Sequence, residues 1–163
     1  MALYDVASPA LRSQPNELRA LELTCFALCV IYLSYLIGCF IGGSWLIDVS
    51  DYVIPTDFIN VWAAGRLVLE GKPEASYDWS IHKSIEGAAI GYAFPGYYAW
   101  YYPPPFLVFA ALLATLPLAV SQVVWPLLTF PAYVAAIRMV VGHRIGIFFA
   151  AAFPAVLPNF IVG

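Results

Sequence analysis

LTCFALCVIYLSYLIGCFIGGSWLI, residues 23–47, contains no Asp, Glu, Lys or Arg. About 20 apolar residues cross the hydrocarbon core of a bilayer as one helix. This stretch is longer than that and too long for the ~7–15-residue core of a signal peptide; it also lacks a small-x-small cleavage site, so it reads as a retained span. The rest of the chain agrees. Of 163 residues, 63% are hydrophobic and 10% charged, against roughly 45–50% and 25% in soluble domains. No charge falls between Gly87 and Ile137 either. The composition predicts an all-α integral membrane protein.

Upstream, Pro9 and Pro15 punctuate a polar lead, residues 1–20. Asn16 is a candidate cap for a helix that starts at Glu17 and runs through a first span at 21–47. Arg12 and Arg19 stand before the span, which puts the N-terminus in the cytoplasm by the positive-inside rule. Trp45 suits the far interface. The loop that follows, 48–100, then lies outside, which for a Gram-negative inner membrane is the periplasmic side. Cys25, Cys29 and Cys39 all sit in the first span; two of them are four apart with no further ligand nearby, so packing residues explain them better than zinc.

Ten of the seventeen charged residues fall within 48–102. Pro55-Thr56-Asp57 reads as a helix start and Gly71 with Pro73 as its stop, which predicts an amphipathic surface helix over 57–70. A shorter helix is expected near 80–87. The apolar run 97–137 would be ~60 Å as one helix, twice the bilayer core. A hairpin at 117–122 therefore divides it into a second span at 101–116 and a third at 121–141, the latter kinked by Pro126 and Pro131. A fourth apolar segment starts at Ile145. With three crossings Arg138, His143 and Arg144 land outside. Either 101–116 is re-entrant, or these charges grip an anionic lipid head group; the second option is the expectation.

Asp57-Phe58, Trp62-Ala63-Ala64-Gly65-Arg66 with Glu70-Gly71, Tyr77-Asp78, Tyr102-Pro103-Pro104-Pro105-Phe106 and Leu157-Pro158-Asn159-Phe160 occur in that order. Together, over about residues 45–163, they resemble the start of glycosyltransferase family 87, membrane enzymes of the GT-C fold that use polyprenyl-phosphate sugars. The resemblance implies a GT-C-like N-terminal module of about four spans, transferring a sugar such as mannose from a lipid phosphate at the outer leaflet. It implies that Asp57 is the catalytic base. No cofactor is expected beyond the lipid-linked donor. No metal is expected, because no DxD-like cluster is present.

Each residue has a plainer reading beside it. Asp57 could cap the following helix. Arg66 could bind a phosphate or pair with Glu70. Asp78 could hold an acceptor sugar or close a turn. Tyr102 and its aromatic neighbours could stack on a sugar or form an interface belt. Arg138 and Arg144 are candidates for the lipid phosphate. His82 and Lys83 read as solvated. The absence of a basic patch argues against nucleic acid. Family members are longer, so an enzyme requires a chain continuing past Gly163. The alternative is a non-enzymatic accessory subunit whose small and aromatic surfaces dock on other membrane helices. A transporter is a weaker third, since no charge lies inside a span where an ion or proton path would want one.

Overall fold

A computed structural model describes residues 15–163; the expectations for Pro9 and Arg12 concern residues outside that range. Helix α1 is Pro15–Ile41. It begins with proline, whose missing N–H costs nothing in a first turn, so Asn16 lies inside the helix and does not cap it. Gly42 and Gly43 end it, six residues before the predicted end of the span. Gly43 adopts φ +63°, and the chain turns into a two-residue hairpin, β1 Ser44–Trp45 and β2 Ile47–Asp48.

Helix α2, Phe58–Leu69, occupies the place expected of the surface helix, but its environment is different. Phe58, Ile59, Val61, Ala63, Ala64 and Leu67 are all buried, so the helix is enclosed on most sides. The reason is local. Ala63, Ala64 and Gly65 leave a shallow surface on which helix α4, Phe106–Leu113, lies closely enough that a Cβ on Gly65 would collide with the Ala110 carbonyl. A 3-10 turn, Pro73–Tyr77, and helix α3, Trp79–Ile90, pack on its other sides. Phe58, Ile59, Ile90, Trp100, Leu107 and Leu113 form the core of this layer.

Helix α4 corrects the second predicted span. It has eight residues, about 12 Å at 1.5 Å per residue, too short to cross. Pro103, Pro104 and Pro105 hold the preceding stretch in a turn, and Trp62 donates its indole N–H to the Leu116 carbonyl (2.8 Å), tying the end of α4 back to α2. Pro117 then opens helix α5, Leu118–Val141, which runs through Pro126 and Pro131 without interruption. After Gly142, helices α6, Ile145–Ala152, and α7, Val156–Val162, meet at a 51° bend. Tyr32 of α1 donates its hydroxyl to the Ala152 carbonyl at that break (3.2 Å), satisfying a group that a broken helix exposes. The three cysteines are free, with Cys25 buried.

Two of these helices, α1 and α5, are long and apolar enough to cross a membrane, and the bent α6–α7 pair makes a third if counted as one span. About four were expected. Their arrangement overturns the placement of the arginines. Arg144 binds the Glu22 carboxylate near the start of α1 through Nε (3.0 Å) and Nη2 (3.4 Å). At the other end, Trp45 donates to the Phe160 carbonyl (3.1 Å) and Gln122 to that of Ile161 (3.2 Å). So α1, α5 and α6–α7 alternate in direction. Arg138, His143 and Arg144 share the end where α1 starts, and the α2–α4 layer covers the opposite end. The cause is the missing crossing at 101–116.

Candidate functional site

The layer's unpartnered buried polar groups lie on α3, in and just before α2, and at Trp100. Asp78 starts α3 by accepting a hydrogen bond from the Ile81 amide (2.9 Å). From that cap, every fourth residue faces inward: His82 and Glu86 are fully buried, and Ile90 is 3% exposed. His82 Nε2 lies 3.6 Å from Glu86 Oε1, too far for a hydrogen bond. Among the described residues, neither ring nitrogen and neither carboxyl oxygen has a hydrogen-bond partner of ordinary geometry. Thr56 Oγ1, Asn60 Oδ1 and Trp100 Nε1 are buried and unpartnered as well. Five such side chains in one layer are unusual, because unpaired buried polar groups cost roughly 1–3 kcal/mol each.

Burial sets the charge state of the pair. It pushes His82 down to about 4 and Glu86 up to about 7, the latter against the opposing pull of the Tyr98 backbone and Lys83. Desolvation disfavours whichever form is charged. The Tyr97 ring stands edge-on to His82, with centroids 6.2 Å apart. Lys83 donates to the Phe94 carbonyl (3.0 Å) and to that of Gly96, and its ammonium lies 3.3 Å from the Phe94 ring centroid. It is a clamp between α3 and residues 94–96, where the sequence suggested a solvated side chain. His82 was read the same way, and the structure reverses that reading.

Asp57 is exposed and precedes Phe58. Its backbone is already helical, φ −56° and ψ −27°, and its carboxylate makes no cap hydrogen bond. A capping residue needs an extended backbone to fold its side chain onto the next amides, so the plainer reading of Asp57 does not hold. Burial first, then the charges of Asp57 and Glu86, raise the Tyr98 phenol above its usual range. Tyr97 is raised likewise, by burial and then by Glu86, Tyr101 and Asp78.

The other predicted site residues disperse. Asp78 is the α3 cap. Arg66, near the far end of α2, lies over the Trp62 ring at 5.6 Å, and among the described residues it forms no ion pair with Glu70. Tyr102 stacks with Phe106 (4.9 Å), and its carbonyl accepts from the Tyr77 hydroxyl (3.1 Å). Of the aromatic belt, Trp100 is buried while Tyr101 is 89% exposed. Arg138 and Arg144 lie at the other end of α5, about 36 Å long by its residue count, and so share no site with Asp57. His82 and Glu86 are the polar residues that sequence reasoning passed over. Their spacing with Ile90 was the available signal, since i, i+4 and i+8 share one helix face.

Among the described residues, no three His, Cys, Asp or Glu side chains cluster as metal ligands. Helix content, apolar spans and the terminal layer define the chain as an α-helical membrane protein. No family model, curated protein or solved structure matches it.

Proposed function

We propose that the α2–α4 layer carries a glycosyl-transfer site at the membrane face, using a sugar held on a polyprenyl phosphate, with Asp57 as general base. The observation that carries this reading is the Asp57 carboxylate: exposed, released from capping, and close enough for its charge to raise the Tyr98 phenol. In such a transfer the acceptor hydroxyl loses its proton to the carboxylate as its oxygen attacks the anomeric carbon. The bond to the lipid phosphate breaks, and the phosphate leaves with the electron pair. Tyr101, largely exposed, offers a ring face to a sugar, and Tyr102 stands next to it with its ring stacked on Phe106. Arg138 and Arg144 are not part of this site. The GT-C-like module and the inner-membrane orientation, with the layer in the periplasm, belong to the same proposal; Arg19, Arg138 and Arg144 at one end support that orientation.

Asp57→Asn should lower the rate of transfer from a polyprenyl-phosphate sugar by about 10²–10⁴-fold. Its thermal unfolding should stay within about 0.5 kcal/mol of the wild type, because no cap is lost. Undiminished transfer by the variant would remove Asp57 from the mechanism.

A second reading, an accessory subunit, is favoured by α1. Only 6% of its span window is buried, and Phe26, Ile31, Leu33 and Phe40 are all more than half exposed. Lipid or partner helices would cover that surface. Native mass spectrometry from mild detergent separates the two: a defined heteromeric complex supports a subunit, whereas the chain alone supports lipid contact.

A further inference from the structure

We propose that His82 and Glu86 form a binding site for a single proton, whose release frees residues 94–96 from α3. Both side chains are fully buried and they face each other at 3.6 Å; none of their four polar side-chain atoms has a hydrogen-bond partner of ordinary geometry, the Tyr98 backbone being the donor that bears on the Glu86 carboxyl. A lone carboxylate in such a place is costly, and a neutral carboxyl beside a neutral imidazole is the cheapest occupant. The pair therefore holds one titratable proton, on the Glu86 carboxyl, beside a neutral imidazole. The ligand is the proton itself; the site is closed to anything larger.

The groups around the pair determine what release does. On α3, Lys83 is the charged group acting on Glu86. From the 94–102 segment, the Tyr98 backbone bears on the carboxyl, the charge of Glu86 raises the Tyr97 and Tyr98 phenols, and the Tyr97 ring stands edge-on to His82. Asp57, at the start of α2, acts on Tyr98, and Asp78, before α3, acts on Tyr97. Lys83 is the one cation among these groups, and it is engaged with the carbonyls of Phe94 and Gly96. When the proton leaves, the new carboxylate needs a donor. The Tyr98 backbone already favours the charged form; Lys83, three residues before Glu86, adds its ammonium by turning away from the two carbonyls, and residues 94–96, which they anchor, come off α3. Burial of the pair pushes Glu86 up to about 7, which places this event near neutrality.

The test uses the full chain in lipid nanodiscs, with 4-fluorophenylalanine incorporated and the Phe94 resonance assigned through Phe94→Leu. Fluorine NMR reads the Lys83–Phe94 contact directly. The wild type should show one transition of the Phe94 resonance between about pH 6 and 8. Glu86→Gln, which cannot ionise, should hold the low-pH position throughout, and Lys83→Met should hold the released position throughout. A transition that persists unchanged in Glu86→Gln would overturn the proposal. Should that variant fail to fold, infrared difference spectroscopy of the wild type decides alone. A protonated carboxyl band at about pH 6 that disappears by about pH 8 supports the proton held on Glu86, and its absence at the lower pH or its persistence at the higher refutes it.

Discussion

Gly65→Ala is expected to destabilise the protein, and Gly65→Leu to unfold the α2–α4 layer. Helix propensity predicts the reverse for alanine, which is favoured over glycine by about 1 kcal/mol in a helix interior. Packing outweighs it. A Cβ at position 65 meets the carbonyl oxygen and carbon of Ala110 and lies 2.7 Å from the Ala114 methyl. The first two are backbone atoms of α4, which cannot swing aside as the end of a side chain can. The helices must separate, and α4 takes with it the core contacts of Leu107, Ala110 and Leu113. Overpacking of this kind costs typically 1–3 kcal/mol, and leucine adds three more carbons to the same overlap. Thermal unfolding followed by circular dichroism in detergent should show a melting temperature several degrees lower for Gly65→Ala and no cooperative transition of the layer for Gly65→Leu. Gly38→Ala is the control. Nothing lies within 4 Å of a Cβ there, so α1 should gain or stay level. A Gly65→Ala protein that melts at or above the wild type would contradict the packing described.

Glu86→Gln should stabilise the protein, by an amount that grows with pH. In the unfolded chain the imidazole titrates near 6.5 and the carboxyl near 4.5; in the fold these become about 4 and about 7. Between roughly pH 4.5 and 6.5 both states therefore hold one proton, on Glu86 when folded and on His82 when unfolded, and the pair contributes no slope to stability. From about 6.5 through 7 only the folded state still has a proton to lose, so wild-type stability falls as pH rises and then levels off. Below about 4.5 the unfolded chain takes up a second proton while buried His82 still resists one, and stability falls again. Glutamine never carries the charge. Its advantage over the wild type should increase by on the order of 2 kcal/mol between about pH 5.5 and 8. Melting curves at the two pH values measure this. An advantage that stays constant would mean that the Glu86 carboxyl is not held protonated by the fold.

What the sequence revealed follows from which forces act locally. Charge-free runs locate α1 and α5, because crossing a bilayer demands an uninterrupted apolar helix. The 101–116 run passes the same test by composition yet does not form a span. Its apolar side chains find partners in α2, which presents Ala63, Ala64 and Gly65, residues too small to register as an apolar face. Asp57 was legible as a helix start; only its backbone angles show that the carboxylate stays free. His82 and Glu86 were hidden by a sound generalisation, that charged residues in a polar stretch are solvated. Their burial depends on residues 94–102 folding over α3. The Arg144 contact with Glu22 joins positions 122 apart, beyond any local pattern, and that contact decides which end the arginines occupy.

The α2–α4 layer and the arginines lie at opposite ends of the spans, and a labelling experiment tests this directly. With Cys25, Cys29 and Cys39 replaced by serine, Asn16→Cys, Asp51→Cys, Ser80→Cys and His143→Cys would each be placed singly and labelled in sealed vesicles with a membrane-impermeant thiol reagent. All four positions are exposed. Residues 16 and 143 should label from one side, and 51 and 80 from the other. Labelling of position 143 together with 51 and 80 would restore a crossing at 101–116 and contradict the fold.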